Sequence, residues 1–523
     1  MDLAPITLFT YNRPDHTQKT LDALSKNPEA SQSTLYVFCD GPKANASEEE
    51  RETINKVVKI VKKEQRFKDV IISVQEQNQG LVKSIVTGVT EIVNEHNSVI
   101  VLEDDIVSSS GFLKYMNNAL RIYANDTEVM HISGYMYPHK EDLPEAFFLK
   151  VPLCWGWATW KSSWSNYNDD PLNLWLRLAE QNALVEFDKF GHNFLSQQLA
   201  YNITGQLNTW FIKWHASVFL NSGCTLFPSK SLVNNIGFDD SGIHNKRHTQ
   251  FLHDSLETNI KIERVEIAEH QRAASAITAF YRALRLSVNK PSLRQKLKQK
   301  TKRLAFKTVP ALKRTIPKPK FILNKSYLGK QVKLYVRARL NNSIVGSYTY
   351  VSENAIINNT VLGKFCSIGP NFISGWGLHP TKGISSHPMF YSNAKQNGMT
   401  LVTSNKFNET KSIQIGNDVF IGMNVVVLDG ITIGNGAIIG ASSVVSKDIP
   451  PYAIAAGNPI KIMKYRFDKD IINKLLKIQW WNFNSDQLHL VEKYFYDIHN
   501  FIKACVNLQV ENKVKEKSNL NES

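Results

Sequence analysis

The chain has 523 residues, of which 42% are hydrophobic and 21% are charged. This hydrophobic content excludes a disordered chain. The length exceeds what one ordinary hydrophobic core accommodates, so we predict two or three globular domains. The formal net charge is +15, yet the segment Arg282–Lys325 alone carries 15 Lys or Arg residues and no Asp or Glu. Because the excess is local, the sequence argues against a general nucleic-acid-binding protein.

Targeting signals and cysteine pairs are not evident in the sequence. The first ten residues include Asp2 and lack the basic start of a secretory signal. No apolar run approaches the roughly 20 residues that cross a bilayer. The five cysteines are scattered without a CxxC pair, which is typical of free thiols in a reducing compartment. We therefore expect a cytoplasmic protein.

The first hundred residues alternate between short apolar runs and amphipathic segments. This alternation predicts a parallel sheet covered by helices on both faces. The predicted strands are Ile6–Thr10, Leu35–Cys39, Val70–Val74 and Val99–Leu102, and the predicted helices are Pro14–Lys26, Glu48–Gln65 and Leu81–Glu95. Polar clusters follow three of the strands, at Thr10–Arg13, Asp40–Gly41 and Glu103–Asp105. Ligands of such sheets bind beyond the carboxyl ends of the strands, so we expect these clusters to converge.

Three adjacent carboxylates, Glu103–Asp105, end the apolar run in "VIVLEDDIV". Burying like charges without a partner costs several kcal/mol. One interpretation is a solvated strand end; otherwise a positive group is needed, either a Lys or Arg side chain or a metal ion. Carboxylate oxygens suit Mg²⁺ or Mn²⁺ shared with substrate phosphates. Such an ion neutralises a diphosphate leaving group.

Five stretches, in order, carry a family resemblance over about residues 4–270: "TLFTYNRPDHTQKTLDAL", "FCDGP", "NQGLVKSIVTGV", "VIVLEDDIV" and "CWGWATWKSSW". They resemble bacterial family-2-like GT-A glycosyltransferases, which are related to the N-acetylglucosaminyltransferase I type. The resemblance implies a Rossmann-like GT-A domain over residues 1–272 that binds a nucleotide sugar. It implies that Thr10 and Arg13 line the nucleotide site and that Asp40 contacts the base or ribose. Its implied metal ligands are Glu103, Asp104 and Asp105 as the DxD-equivalent element, with His244 of "NNIGFDDSGIH" as a further candidate.

The catalytic base of this domain is not evident. Inverting relatives use a carboxylate beside the first Trp of a W-x-x-x-W element, but "LNTWFIKW" has Asn208 and Phe211 at those places. Asp239 and Asp240 are the remaining candidates, and the alternative is a domain that binds glycans or nucleotides without catalysis. A nucleotidyltransferase is disfavoured because no Gly-rich loop follows the first strand. Trp157 and Trp160 can stack on a sugar or fill the core, and both interpretations stay open.

A six-residue period begins at Ile415 and repeats the apolar positions Ile421, Val427, Ile433, Ile439 and Val445. This period is typical of a parallel β-helix with three short strands per coil. We predict a left-handed parallel β-helix over residues 343–466, after a basic and partly helical linker over 273–342. C-terminal helices over 467–505 and a polar, disordered tail over 506–523 complete the predicted organisation.

The repeat is interrupted between Ile373 and Ile413 by an excursion that contains "GWGLHPTKGISSHPMFYS". With "AAGNPIKI" and "QWWNF", it resembles hexapeptide-repeat acetyltransferases related to the β-helix type of chloramphenicol acetyltransferase. The resemblance implies acetyl-CoA as co-substrate and a homotrimer with active sites between subunits. It implies His379 as the general base, with His387 as the competitor. The implied CoA contacts are Asn424, Ala441, Lys447 and Lys461.

Together these features predict a bifunctional enzyme of surface-polysaccharide synthesis, for capsule or lipopolysaccharide. One half transfers a sugar from a nucleotide sugar, and the other O-acetylates a sugar of a glycan or lipid-linked acceptor. The basic linker is interpreted either as a contact with an anionic membrane surface at the inner face of the plasma membrane or as a solvated tether. The alternative function is a sugar O-acetyltransferase that carries a non-catalytic binding domain.

Overall fold

The computed structural model describes residues 3–181, 183–189, 194–238, 249–288 and 321–507. These residues form two compact units, an N-terminal α/β unit and a C-terminal β-helix unit. Within the described ranges, no helix is both long enough and apolar enough to cross a membrane. Most of the basic segment Arg282–Lys325 falls outside these ranges, and so do residues 508–523 of the predicted tail.

The N-terminal unit is built from short strands and amphipathic helices. Its strands are β1 (Ile6–Thr10), β2 (Thr34–Cys39), β3 (Asp69–Val74), β4 (Ser98–Glu103), β5 (Ile106–Ser108), β6 (Val129–Ser133), β7 (Ala146–Leu149), β8 (Trp157–Trp160), β9 (Cys224–Pro228) and β10 (Val233–Asn235). Its helices are α1 (Pro14–Leu24), α2 (Glu48–Lys62), α3 (Leu81–His96), α4 (Phe112–Ile122), α5 (Lys161–Trp164), α6 (Pro171–Glu180), α7 (Leu184–Phe187), α8 (Phe194–Ile203), α9 (Trp210–Leu220) and α10 (Gln271–Val288).

One mixed sheet organises this unit, with the strand order β3-β2-β1-β4-β8-β6-β9-β7. Strand β1 pairs in parallel with both β2 and β4, while β8 runs antiparallel to β4. The run Val99–Leu102 of β4 is fully buried, as expected for a strand covered on both faces. The α/β architecture predicted for this half is therefore confirmed.

A cluster of aromatic side chains fills the core beside β8. Trp157 stacks on Trp210 and on the ring of His131, and both Trp157 and Trp160 are buried. Of the two interpretations of these Trp residues, core packing is therefore the one that the structure shows. The Nε2 of His131 donates to the Leu153 carbonyl at 2.8 Å, while its Nδ1 accepts from Trp214 at 3.1 Å. Burial lowers the pKa of His131 to about 3, so the ring stays neutral.

The C-terminal unit contains 18 of the described strands, followed by three described α-helical segments. The strands are β11 (Phe321–Asn324), β12 (Tyr327–Leu328), β13 (Lys333–Leu334), β14 (Ala338–Asn341), β15 (Ile344–Val345), β16 (Tyr350–Val351), β17 (Ile356–Asn358), β18 (Thr360–Leu362), β19 (Ser367–Ile368), β20 (Ile373–Ser374), β21 (Ile413–Ile415), β22 (Phe420–Ile421), β23 (Val426–Val427), β24 (Thr432–Ile433), β25 (Ile438–Ile439), β26 (Val444–Val445), β27 (Ala453–Ala456) and β28 (Lys461–Tyr465). The helices are α11 (Lys469–Ile478) and α12 (Ser485–Lys493), and residues 498–507 are also helical.

These strands form three faces of a prism. Successive coils stack in parallel register as β11-β14-β17-β20-β23-β26, β12-β15-β18-β21-β24 and β13-β16-β19-β22-β25-β27, with β28 folding back on β27. Apolar side chains such as Ile357, Ile421 and Ile439 fill the interior. The arrangement is consistent with the predicted left-handed β-helix.

The first coil begins at Phe321, within the segment 273–342 that the sequence assigned to a linker. The reason is the coil length. Arg339 stacks opposite Ile356, 17 residues later, whereas Val426 stacks opposite Val444, 18 residues later. Coils of 17 residues break the strict six-residue period, which weakens the sequence signal of the early coils.

Removing an interior side chain should destabilise the β-helix more than removing its outward neighbour. Ile421 is completely buried, whereas the adjacent Phe420 is 46% exposed. We expect Ile421→Ala to lower the free energy of unfolding by about 2–5 kcal/mol, because it leaves a cavity between coils. Urea unfolding followed by circular dichroism measures the change. Phe420→Ala is the control, and an equal loss in both variants would contradict the interior stacking.

Candidate functional site

The polar clusters that follow β1 and β4 meet at one edge of the sheet. The parallel pairing of β1 with β4 aligns Phe9 with Glu103, so the residues after both strands are neighbours. The guanidinium of Arg13 donates to Asp105 Oδ2 at 2.9 Å, and both side chains are largely shielded from solvent. Arg13 is therefore a positive partner of the carboxylate run, one of the two options that the sequence left open.

Three carboxyl groups nevertheless share this one guanidinium. Asp104 is buried, and its Oδ2 accepts the backbone N–H of Tyr11 at 3.3 Å. Burial and the neighbouring Asp105 charge raise the pKa of Asp104 to about 7. Burial likewise raises the pKa of Glu103, with the Asp105 and Asp104 charges adding to the effect. Burial also raises the pKa of Asp105, against the opposing effect of Arg13. The edge is thus a place where carboxyl groups hold protons near neutral pH.

The predicted metal site is not assembled by the residues that the structure describes. No group of three or more His, Cys, Asp or Glu side chains among them is arranged to hold a metal ion. Asp105, the expected ligand, is engaged by Arg13. His244 lies outside the described ranges, as do Asp239 and Asp240, the candidates for the base. Binding of Mn²⁺ or Mg²⁺ by Glu103–Asp105 together with substrate phosphates stays a prediction.

Asp40 fastens a loop instead of facing open solvent. Its two carboxylate oxygens accept the backbone N–H groups of Gly41, Gln79 and Gly80, and the side-chain amide of Asn78. A carboxylate has about four lone-pair positions, so these four bonds occupy it. These bonds give Asp40 a structural role in holding the loop, and its implied contact with a base or ribose stays a prediction. Thr10 is also committed to the protein, because its hydroxyl donates to Cys39 Sγ at 3.3 Å.

The loop that Asp40 holds borders a cavity of about 230 Å³. Gln75, Gln79 and Lys83 line it, together with Asp40. Lys83 stands in the first turn of α3, whose N-terminal N–H groups favour anions. The sequence analysis missed Gln75, Gln79 and Lys83. A Gln or Lys that lines a cavity looks the same in a sequence as one on a solvent-exposed surface.

In the β-helix unit, the excursion leaves after β20 and returns at β21, as predicted. His379 lies on it with its Nδ1 2.9 Å from the Ser386 carbonyl oxygen and 2.7 Å from the Tyr391 hydroxyl. A carbonyl oxygen can only accept a hydrogen bond, so these partners assign the ring proton to Nδ1. The Nε2 lone pair of this exposed residue is then directed away from those bonds and can accept a proton.

His387, the competitor, has the opposite arrangement. Its Nδ1 accepts the backbone N–H of Met389 at 3.3 Å and caps the short turn Pro388–Phe390. In the neutral ring the proton therefore sits on Nε2, which leaves no free basic nitrogen. The geometry gives His387 a capping role in the loop.

Hydrogen bonds within the excursion, and one bond to the coils, fix the backbone beside His379. The backbone N–H of Leu378 donates to the Glu409 carbonyl at 2.7 Å, and that of Gly377 donates to Asp429 Oδ2 at 2.9 Å. The Glu409 carboxylate accepts from Ser392 at 2.6 Å, next to Tyr391. The sequence analysis named none of these partners of the loop, and Tyr391 follows His379 by 12 residues without a motif that links them.

The residues implied as CoA contacts are only partly brought together. Asn424 and Ala441 occupy the same corner of the prism in successive coils, between β22 and β23 and between β25 and β26. Lys447 follows β26 at the next corner, and Lys461 begins β28; both are exposed.

Comparison with known proteins concerns the β-helix. Residues 412–447 match the family model described as bacterial transferase hexapeptide (six repeats). A chloramphenicol acetyltransferase from Klebsiella aerogenes is 41% identical over 104 residues, covering 20% of this chain and 49% of the relative. One from Agrobacterium fabrum is 49% identical over 74 residues, covering 14% and 35%. The chain thus spans about half or less of the length of these two relatives.

A solved structure adds little to these matches. The crystal structure of a hexapeptide-repeat-containing acetyltransferase from Vibrio cholerae is 24% identical, and the match covers 28% of this chain and 74% of that one. Its TM-score is 0.20. The sequence matches, in contrast, show that residues 412–447 are similar to the hexapeptide repeats of bacterial transferases.

The buried carboxyl cluster predicts a pH dependence of stability for the N-terminal unit. In the unfolded chain an Asp carboxyl loses its proton near pH 4, whereas folded Asp104 keeps it up to about pH 7. The folded state therefore binds more protons across this window, and stability should fall as the pH rises from about 4 to about 7. We expect Asp104→Asn to flatten this slope, as measured by urea unfolding with tryptophan fluorescence at several pH values.

Asp22→Asn is the control for this experiment. Arg66 lowers the pKa of the Asp22 carboxyl through a hydrogen bond, so this exposed group does not hold a proton near neutrality. The slope of that variant should match the wild type between pH 5 and 7 (roughly the upper part of the window). A wild-type slope that survives Asp104→Asn unchanged would contradict the assignment.

Proposed function

We propose that the β-helix unit is an acetyl-CoA-dependent O-acetyltransferase that acts on a sugar hydroxyl, with His379 as its general base. The observation that carries this proposal is the hydrogen bond from His379 Nδ1 to the Ser386 carbonyl, which leaves Nε2 basic. The hexapeptide-repeat match and the names of the curated relatives support the acetyl-transfer chemistry.

The chemistry follows from the tautomer. The acceptor hydroxyl donates to Nε2, which takes its proton as the hydroxyl oxygen attacks the thioester carbonyl carbon of acetyl-CoA. Collapse of the tetrahedral intermediate breaks the C–S bond, and the imidazolium returns the proton to the leaving thiolate. The Ser386 carbonyl oxygen and the Tyr391 hydroxyl oxygen lie within hydrogen-bond distance of the protonated Nδ1. These contacts stabilise the positive charge of the ring when Nε2 takes the second proton.

The proposed assembly is a homotrimer formed through the prism. One face carries an outward column of apolar side chains, Ile373, Val426 and Val444, each stacked on the next coil. All three are only half-buried within one chain. A second copy of the β-helix against this face would remove that apolar surface from water.

For the N-terminal unit, we propose binding of a nucleotide sugar, with glycosyl transfer as a second candidate function. The support for this proposal is the amino end of α3 and Lys83 on the cavity wall, which also carries Asp40 and Glu91, with Arg13 at the neighbouring sheet edge. If the unit binds the nucleotide sugar without turning it over, it serves the acetyltransferase as a binding domain.

Replacing His379 should abolish acetyl transfer without weakening binding of the co-substrate. Loss of a general base typically costs 10²–10⁴-fold in rate. We expect His379→Ala to fall in that range for CoA release in the presence of sugar acceptors, with acetyl-CoA affinity by calorimetry nearly unchanged.

His387→Ala is the matched control, since it removes an imidazole from the same loop. We expect a smaller loss of rate, because His387 caps a turn and offers no basic nitrogen. An inactive His387→Ala beside an active His379→Ala would exchange the two roles. Two fully active variants would show that this loop does not supply the base.

Nucleotide-sugar binding by the N-terminal unit should depend on Lys83. We expect calorimetry with UDP-, GDP- and dTDP-sugars to detect binding of at least one, and Lys83→Ala to weaken it by about tenfold, equivalent to about 1.4 kcal/mol. Lys59→Ala, on the exposed face of α2, is the control and should bind normally. If the wild type, Lys83→Ala and Lys59→Ala bind the nucleotide sugar equally well, the ligand does not bind in the cavity beside Lys83. Donor hydrolysis in the same samples separates glycosyl transfer from binding alone.

A further inference from the structure

A second cavity, of about 360 Å³, lies on the surface of the β-helix at the corner where the excursion leaves the coils. Its walls include Arg339, Asn341, Asn358, Asn359, Trp376 and Thr410, and we name it the Trp376 groove. The groove takes its polar wall from two successive coils and its aromatic wall from the start of the excursion. Trp376 precedes His379 by three residues, so the groove borders the segment that carries the proposed base.

Trp376 is 74% exposed, which is unusual for the largest apolar side chain. The backbone beside it is nevertheless fixed. The N–H of Gly375 donates to the Val427 carbonyl at 3.3 Å, and the N–H of Gly377 donates to Asp429 Oδ2 at 2.9 Å. The indole is therefore presented from an anchored backbone, and its ring makes no aromatic contact within the described part of the chain.

The polar wall is a ladder of Asn amides. The Asn341 Nδ2 donates to Asn358 Oδ1 at 2.7 Å, and the Asn358 Nδ2 donates to the Ser374 carbonyl at 3.2 Å. A parallel pair joins Asn342 to Asn359 at 3.3 Å. These bonds fix the amide planes, while Asn341 Oδ1 and Asn359 Nδ2 have no partner among the described residues. The ladder therefore offers one acceptor and one donor to a ligand.

Arg339 adds a cation to this wall. Its side chain is exposed, and it forms no ion pair with any residue in the described ranges. A guanidinium presents several N–H donors in one plane, which suits vicinal hydroxyls or a carboxylate. The groove thus combines the exposed indole ring of Trp376, the uncharged Asn amides and the guanidinium of Arg339, which can donate several hydrogen bonds.

We propose that the Trp376 groove binds a pyranose ring of the carbohydrate that the enzyme acetylates. This inference rests on the proposed function and names the class of acceptor. One face of a pyranose ring presents C–H groups that pack against an indole, while its hydroxyls both donate and accept hydrogen bonds. A flat apolar acceptor would leave the amide ladder and Arg339 without partners, at the cost of their lost hydration.

The test uses the full chain with methyl glucoside, methyl galactoside and methyl N-acetylglucosaminide as probes. CoA release gives KM and kcat for each, and saturation-transfer NMR measures binding of the same probes without acetyl-CoA. We expect Trp376→Ala to raise the KM of at least one probe by about tenfold, with kcat little changed, and to remove its NMR signal. Arg339→Ala should cause a smaller increase in KM. Tyr496→Ala removes a side chain that is 96% exposed elsewhere in the unit, and it should behave as wild type.

The possible outcomes separate the groove from the proposed function. If His379→Ala is inactive while Trp376→Ala keeps a wild-type KM, the groove proposal is overturned and the acetyltransferase stands. Acetylation of chloramphenicol but of no glycoside would overturn both the groove proposal and the sugar as acceptor, and would leave only the acetyl-transfer chemistry and its base. A change of molecular mass in solution on Trp376→Ala would show that a second copy covers the ring, which also overturns the proposal. If no acceptor is acetylated, the proposed function fails, and the NMR comparison alone decides the groove: loss of binding in Trp376→Ala supports it, and equal or absent binding rejects it.

Discussion

Stacking of the coils is the constraint on which the C-terminal unit depends. Each coil bonds its backbone to the next and turns its apolar side chains inward, so a coil has no free interior position for a reactive group. Reactive side chains must then lie on corners, on outward faces or on a segment that leaves the prism. The excursion between Ser374 and Ile413 meets this requirement. Its bond to Asp429 of the coils, together with the internal bond from Leu378 to Glu409, gives the backbone beside His379 the fixed position that proton transfer needs.

The N-terminal unit depends on a balance of charge. Three carboxyl groups at the end of β4 lie near one guanidinium, that of Arg13. Burial raises the pKa values of Glu103 and Asp104, which favours their uncharged forms and reduces the excess of negative charge. The same sheet edge carries Arg13 and lies near the cavity with Lys83. These two cations are the groups on which the proposed binding of a nucleotide sugar depends.

The sequence predicted those parts of the fold that a regular period or an apolar run encodes. The alternation up to Leu102 gave an α/β sheet whose elements begin and end within three residues of the predicted bounds. The six-residue period located the later coils and the interruption at Ile373. It missed the coils from Phe321 because their 17-residue repeat is one residue short of three hexapeptides. The site was harder, because hydrogen-bond partners such as Ser386 and Tyr391 depend on how a loop closes. Likewise, only the structure shows that the four bonds to Asp40 come from its own loop.

The central claim is that this chain forms an acetyl ester on a sugar by a base on the excursion. Incubation with isotopically labelled acetyl-CoA and methyl glycosides, followed by mass spectrometry of the products, tests this most directly. The account predicts a labelled, base-labile acetyl glycoside from the wild type and none above background from His379→Gln. An unlabelled glycoside pool from the wild type, or equal labelling by both proteins, would contradict it.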